Sequence, residues 1–122
     1  MIKCGIDSIE LDRLRTLNPA IRARFLTRVF TPTELTQARD RNDFLTSLFA
    51  AKEAVSKALG TGIGLVAWKD IEIIHLPSGE PTVTLHGNAL SIAKQKGLGD
   101  WSVSISNDRT KALAIAIGAS EN

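Results

Sequence analysis

Along the first residues, Ile2, Cys4 and Ile6 alternate with Lys3 and Gly5, and a period of two predicts a short strand that ends near Asp7. Residues about 8–17 and 20–29 carry helical spacing, with Pro19 between them. The second stretch sets Ile21, Phe25, Leu26 and Val29 on one side and Arg24 and Arg28, four apart, on another. Thr31-Pro32-Thr33-Glu34 reads as a helix start: Thr31 can cap, Pro32 suits the first helical position, and Glu34 can close a capping box. A short helix to about Arg41 is expected. From Phe44 the apolar residues Phe44, Leu45, Leu48, Phe49, Val55 and Leu59 recur at helical spacing up to Gly60, predicting the longest helix. Its polar members are Lys52, Glu53, Ser56 and Lys57.

After a loop at Thr61-Gly62-Ile63-Gly64, the stretch Trp68 to Leu76 is strand-like, with Ile71 and Ile73 flanking Glu72. Turn chemistry at Pro77-Ser78-Gly79-Glu80-Pro81 precedes a second strand at Thr82 to His86, which predicts a hairpin. Asn88 to Lys96 reads as a helix stopped by Gly97. Two further strands, Trp101 to Ser106 and one through Leu113, Ile115 and Ile117, are joined by Asn107-Asp108-Arg109. Helices first and antiparallel pairs later predict an α+β fold: one small domain over 1–122, an antiparallel-rich sheet wrapped by helices. Val103, Ile105, Leu113, Ile115 and Ile117 would make a strongly apolar sheet face, coverable by the chain's own helices or by other copies.

Composition narrows the class. At 122 residues one core is expected, and 43% hydrophobic with 23% charged residues are ordinary globular values. The single cysteine, Cys4, makes no internal disulfide and fits a reducing compartment. No window approaches a membrane span and the first residues lack a signal-peptide pattern, so a cytoplasmic location without membrane attachment is expected. The net charge of +2, together with few aromatics and no recognition motif, argues against a nucleic-acid partner. Arg13, Arg15, Arg22, Arg24 and Arg28 nevertheless crowd the first quarter, which presents a basic face to an acidic partner or is simply a solvated surface.

Taken alone, Asp7 is a carboxylate at a strand end or the N-cap of a following helix. Glu53 and Lys57 lie four apart, the spacing of a surface ion pair worth about 0.2–0.5 kcal/mol. Two carboxylates on separate elements also make the oxygen-rich setting that magnesium prefers, while Cys4 and the two histidines offer no zinc cluster. Gly60, Gly62 and Gly64 are equally a helix end with a turn or a loop whose amides approach phosphate.

Three segments weigh between these alternatives: Gly5-Ile6-Asp7-Ser8-Ile9-Glu10, the run Phe49-Ala50-Ala51-Lys52-Glu53-Ala54-Val55-Ser56-Lys57-Ala58-Leu59-Gly60-Thr61-Gly62, and Trp101-Ser102-Val103-Ser104-Ile105-Ser106-Asn107-Asp108. In order and spacing they resemble the 4'-phosphopantetheinyl transferase superfamily, specifically its short holo-acyl-carrier-protein synthase branch. The likeness extends through Arg28-Val29-Phe30-Thr31-Pro32 and Trp68-Lys69-Asp70-Ile71-Glu72-Ile73, and the run from Lys52 to Gly62 is its most specific part.

The resemblance implies transfer of 4'-phosphopantetheine from coenzyme A to a serine of apo acyl carrier protein, with 3',5'-ADP leaving, in fatty acid or polyketide biosynthesis. It implies that Asp7 and Glu53 hold Mg2+, that Lys57 reaches phosphate, and that all three are catalytic, Glu53 taking the serine proton directly or through a water. Gly60, Gly62, Pro81, Ser106, Asn107 and Asp108 would contact the coenzyme; Arg13, Arg24 and Arg28 would dock the carrier protein. Family members of this length assemble as homotrimers with shared active sites. Two positions depart from the pattern: Leu48 stands where many members have arginine and Asn107 where many have histidine, which removes two cationic contacts. A carrier-binding module of the same fold with weakened catalysis is therefore the alternative.

Overall fold

In the computed structural model, which describes residues 1–121, a nine-residue strand β1 (Ile2–Glu10) lies against the helix α3 (Asn42–Leu59). A side chain at Gly5 would bring its Cβ to 2.0 Å from the Ala54 carbonyl oxygen, so only glycine lets this strand press on the helix backbone. Residue 122, the last of the expected domain, lies outside the described residues.

The strand does not end near Asp7. It continues to Glu10 because β5 (Lys111–Ala119) pairs with it over its whole length, from Ile2 opposite Ala119 to Glu10 opposite Lys111. The helix expected over about 8–17 is correspondingly absent: residues 11–16 form turns, anchored by the buried Leu14. Asp7 thus sits inside a strand, opposite Ala114, and caps no helix.

The helices begin where their caps say. Asn18 accepts from Ala20 N–H at the start of α1 (Pro19–Val29), and Thr31 with Glu34 closes the expected capping box on α2 (Pro32–Ala38). This second helix stops short of Arg41, since Arg39 and Asp40 adopt left-handed φ values of 50° and 59°. A 3-10 turn at Trp68–Asp70 delays the next strand, so β2 is Ile71–His75; it pairs antiparallel with β3 (Pro81–Leu85). Helix α4 (Gly87–Lys96) and strand β4 (Asp100–Asn107) complete the chain before β5.

Among the described residues the strands form two antiparallel sheets, β1-β5-β4 and β2-β3, around α3, an α+β arrangement. Ala112, Ala114 and Ala116 turn inward and are fully buried, and their small side chains let α3 approach the larger sheet closely. Register divides the expected apolar face in two. Val103 pairs with Ala116 and Ile105 with Ala114, which puts both on the inner side, whereas Leu113, Ile115 and Ile117 point outward with Ile6 and are 39% to 55% exposed.

Candidate active site

Asp7 and Lys57 meet across elements. The inward-facing Asp7 carboxylate, 12% exposed, accepts from Lys57 Nζ at 3.0 Å through Oδ1, and the same ammonium donates to the Ile6 carbonyl at 3.1 Å. The helical ion pair of Glu53 with Lys57, one reading of their spacing, is not made; the strand carboxylate takes the lysine instead. Asp7 Oδ2 is buried and has no hydrogen-bond partner.

Glu53 shares this corner. Burial is the largest influence on its carboxyl; the facing Asp7, within hydrogen-bonding reach, adds to it, and Lys57 and Arg13 oppose. The net effect pushes Glu53 up to about 7. Two carboxyls facing one another, one nearly buried and one reluctant to ionise, are an arrangement that a shared proton or a bound cation relieves. The donors are oxygens only, and the described residues hold no cluster of three or more His, Cys, Asp or Glu. That suits magnesium, which takes one or two carboxylates and completes its shell with water and substrate phosphate.

The glycines after α3 do something different from what an amide cradle requires. Gly60 adopts φ 84° at the helix C-terminus, and the N–H groups of Gly60, Thr61 and Gly62 all donate back to the Ser56 carbonyl, that of Gly60 also to Lys57. These amides close the helix and are not free to receive phosphate.

Pro81 and Asn107 converge elsewhere, on a cavity of about 230 Å3 that Asp7, Glu53 and Lys57 do not line. Asn107 Nδ2 donates to Ser47 Oγ at 3.1 Å. Arg41, Phe44 and His75 also line this cavity: the His75 ring lies 4.7 Å from that of Phe44, and the Arg41 guanidinium lies 5.0 Å over the same ring. His75 Nδ1 is buried without a partner, and burial lowers the ring's pKa. Arg41 and Phe44 open α3 and His75 ends β2, and only the packing of the hairpin against the start of the helix brings them together, which no local pattern signals. Ser106 and Asp108 do not join them: Ser106 lies opposite Leu113 on the outer face, and Asp108 Oδ1 accepts from Thr110 and Lys111 N–H, tying the β4–β5 turn. Two wider open grooves, about 540 and 560 Å3, mix Glu10 and Asp12 with Arg15 or Arg13 and contain none of the coenzyme or metal candidates.

Of the basic residues, Arg13, Arg24 and Arg28 are exposed and have no carboxylate at ion-pair distance among the described residues. Arg22 is engaged internally, at 2.8 Å from Asp40 and 2.7 Å from Asn42, and Arg15 lies 3.9 Å from Asp12. No helix among the described residues is long and apolar enough to cross a membrane.

A sequence model of the 4'-phosphopantetheinyl transferase superfamily matches residues 3–116. Over 120 residues the chain is 42% identical to the holo-[acyl-carrier-protein] synthase of Natranaerobius thermophilus, covering 96% of each chain. It is 43% identical over 121 residues to the protein of the same name from Moorella thermoacetica, covering 96% of this chain and 93% of that one. The crystal structure of the Helicobacter pylori holo-[acyl-carrier-protein] synthase in complex with coenzyme A superposes with a TM-score of 0.85 at 32% identity, covering 98% of this chain and all of the other.

Proposed function

The chain belongs to the 4'-phosphopantetheinyl transferase superfamily and transfers the phosphopantetheine arm of coenzyme A to a serine of apo acyl carrier protein; we propose that it does so with Asp7 and Glu53 as a magnesium site and Lys57 as a phosphate contact. The observation that carries this reading is the unpartnered Asp7 Oδ2 buried beside a Glu53 that is hard to ionise. Bound there against the diphosphate, the metal would neutralise charge that builds on the phosphate oxygens and help align them.

The remaining steps fall to side chains of this chain. Lys57 uses two of its three donors on Asp7 and Ile6, which leaves one for a phosphate oxygen. Glu53 is the carboxylate that would take the proton of the attacking serine hydroxyl, directly or through a water. As the serine oxygen bonds to the β-phosphorus, the bond to the leaving phosphate breaks and 3',5'-ADP departs. The cavity of Pro81 and Asn107 is the nucleotide groove in this reading, with the His75 and Phe44 rings in its wall and Arg41 as the cation. Leu48 is wholly buried and Asn107 is uncharged, so Arg41 takes the electrostatic part.

Two features support association of copies with shared sites, which the family resemblance makes a homotrimer. Leu113, Ile115, Ile117 and Ile6 leave an apolar strip on the outer sheet face, and the metal corner and nucleotide groove do not meet in one cavity of the single chain. Arg13, Arg24 and Arg28 receive the acidic carrier protein. The test is incubation with coenzyme A, apo carrier protein and Mg2+, read by the mass gained on the carrier, with and without a chelator. Gain that survives full chelation overturns the metal site, and binding of carrier without any gain favours the weakened-module reading.

A further inference from the structure

Behind Glu53, on the inner side of the same helix, Lys52 and Glu34 form an ion pair in which both side chains are 0% exposed, with Nζ 2.8 Å from Oε1. All three ammonium donors are used, the other two on the carbonyls of Trp68, at 3.0 Å, and Ile71. The carboxylate is equally occupied: Oε1 also accepts from Thr31 N–H and Oε2 accepts from Ile73 N–H, each at 2.8 Å. The pair therefore ties α3 at once to the start of α2, to the 3-10 turn and to β2. We infer that Lys52 and Glu34 are positioning residues for the reaction, setting the rotation of α3 so that Glu53 and Lys57 are aimed at Asp7. The inference rests on the reading of Asp7 and Glu53 as the metal site.

Stability alone does not call for such a pair. Both charges lose their hydration, and apolar residues of similar volume in such places are often as stabilising or more so. What an apolar pair does not supply is direction. Dispersion and burial change little when a helix turns slightly, whereas an ammonium with three acceptors at hydrogen-bond distance does not tolerate the turn. On a helix, Glu53 follows Lys52 by about 100°, and Lys57 falls one turn later on the side of Glu53. Rotating α3 by roughly 20° carries a side-chain tip at a radius of about 5–6 Å through about 2 Å, against a tolerance of about 0.2 Å in metal–oxygen distances. The contact of β1 at Gly5 sets how far the helix lies from Asp7; the ion pair on the opposite side sets which way the helix faces.

The test compares the full-length protein with Glu34→Gln/Lys52→Met, a pair of similar volume without charge. Fold is followed by circular dichroism and metal binding by titration with Mn2+ alone, read by electron paramagnetic resonance. The expected result is a folded double variant that binds Mn2+ about 10-fold or more weakly, the scale set by other outer partners of metal ligands. Its kcat should fall and recover in part at high Mg2+, while KM for the carrier protein stays unchanged. Glu34→Gln alone is the milder case, expected to fold and to weaken Mn2+ binding less. A folded variant with wild-type Mn2+ affinity and kcat overturns the inference, and so does failure of both variants to fold, which would make the pair a stability element only. Asp7→Asn separates the two readings: if it also binds Mn2+ as the wild type does, the metal site itself is wrong, whereas its loss of Mn2+ beside an unaffected double variant removes the positioning role alone.

Discussion

Lys57 on α3 reaches Asp7 on β1, 50 residues earlier in the chain, and holds its Oδ1 at 3.0 Å. The contact orients the carboxylate, so that its second oxygen stays buried and unpaired beside Glu53. One bond thus joins the strand that carries one metal candidate to the helix that carries the other.

Removing either carboxylate should abolish most of the chemistry without unfolding the chain. Asp7→Ala and Glu53→Ala are each expected to lose at least ~100-fold in transfer, because misplacing the metal removes several kcal/mol of transition-state stabilisation. The mass gained by the carrier protein measures this, with circular dichroism as the control for fold. Near-wild-type transfer by a well-folded Asp7→Ala protein would reject the site.

Glu53 should also make stability depend on pH in a particular sense. Its carboxyl rises from 4.5 to about 7 in the native chain, so between those values the folded state holds a proton that the unfolded state releases. Stability from this group is fully present below 4.5 and is lost as pH rises through about 7. His75, pushed down by burial, acts in the opposite direction, since its neutral form is favoured on folding and stability is lost as pH falls. Melting temperatures of the metal-free protein and of Glu53→Gln, measured from about pH 5 to about pH 8, isolate the Glu53 part in their difference. The wild type should lose ground to the variant as pH rises; a constant difference refutes the assignment.

Lys57→Met should weaken coenzyme A binding far more than it lowers the melting temperature. The lysine side chain is 52% exposed but Asp7 only 12%, so the variant leaves a mostly buried carboxylate unpaired and a modest loss of melting temperature accompanies the larger loss of affinity. Calorimetric titration with coenzyme A decides the matter, and unchanged affinity rules the phosphate contact out.

The exposed arginines should act on the carrier step alone. Arg24→Glu with Arg28→Glu is expected to slow association with the carrier protein and to make the remaining activity less sensitive to salt, leaving coenzyme A binding unchanged. Rates against carrier concentration at low and at ~0.5 M salt test this, since the Debye length then falls to a few ångströms. A wild-type rate indifferent to salt would put the docking surface elsewhere.

Ile115 stands at the middle of the outward apolar strip, opposite Ile6. Ile115→Glu should break the assembly and with it activity, if neighbouring copies complete each site. Sedimentation reports the mass, expected to fall to that of a single chain; full activity in a monomeric variant would remove the shared-site reading.

Much of this architecture was legible because it is local. The cap at Thr31, the capping partner Glu34, the glycine that ends α3 and the turn before Pro81 act within a few residues, where backbone geometry and nearby donors decide the outcome. The candidates Asp7, Glu53 and Lys57 were legible too, through the order and spacing of motifs. Tertiary structure alone decided that Asp7 lies inside a strand, that Lys57 pairs with it and not with Glu53, and that Arg41, Phe44 and His75 line a cavity with Pro81 and Asn107. It likewise turned Val103 and Ile105 inward and Leu113, Ile115 and Ile117 outward, and buried Lys52 against Glu34. Each of these depends on strand register or on packing between residues far apart in the chain. A shift of one residue in register would reverse every face, and nothing in a local window resists that shift until β5 is in place between β1 and β4.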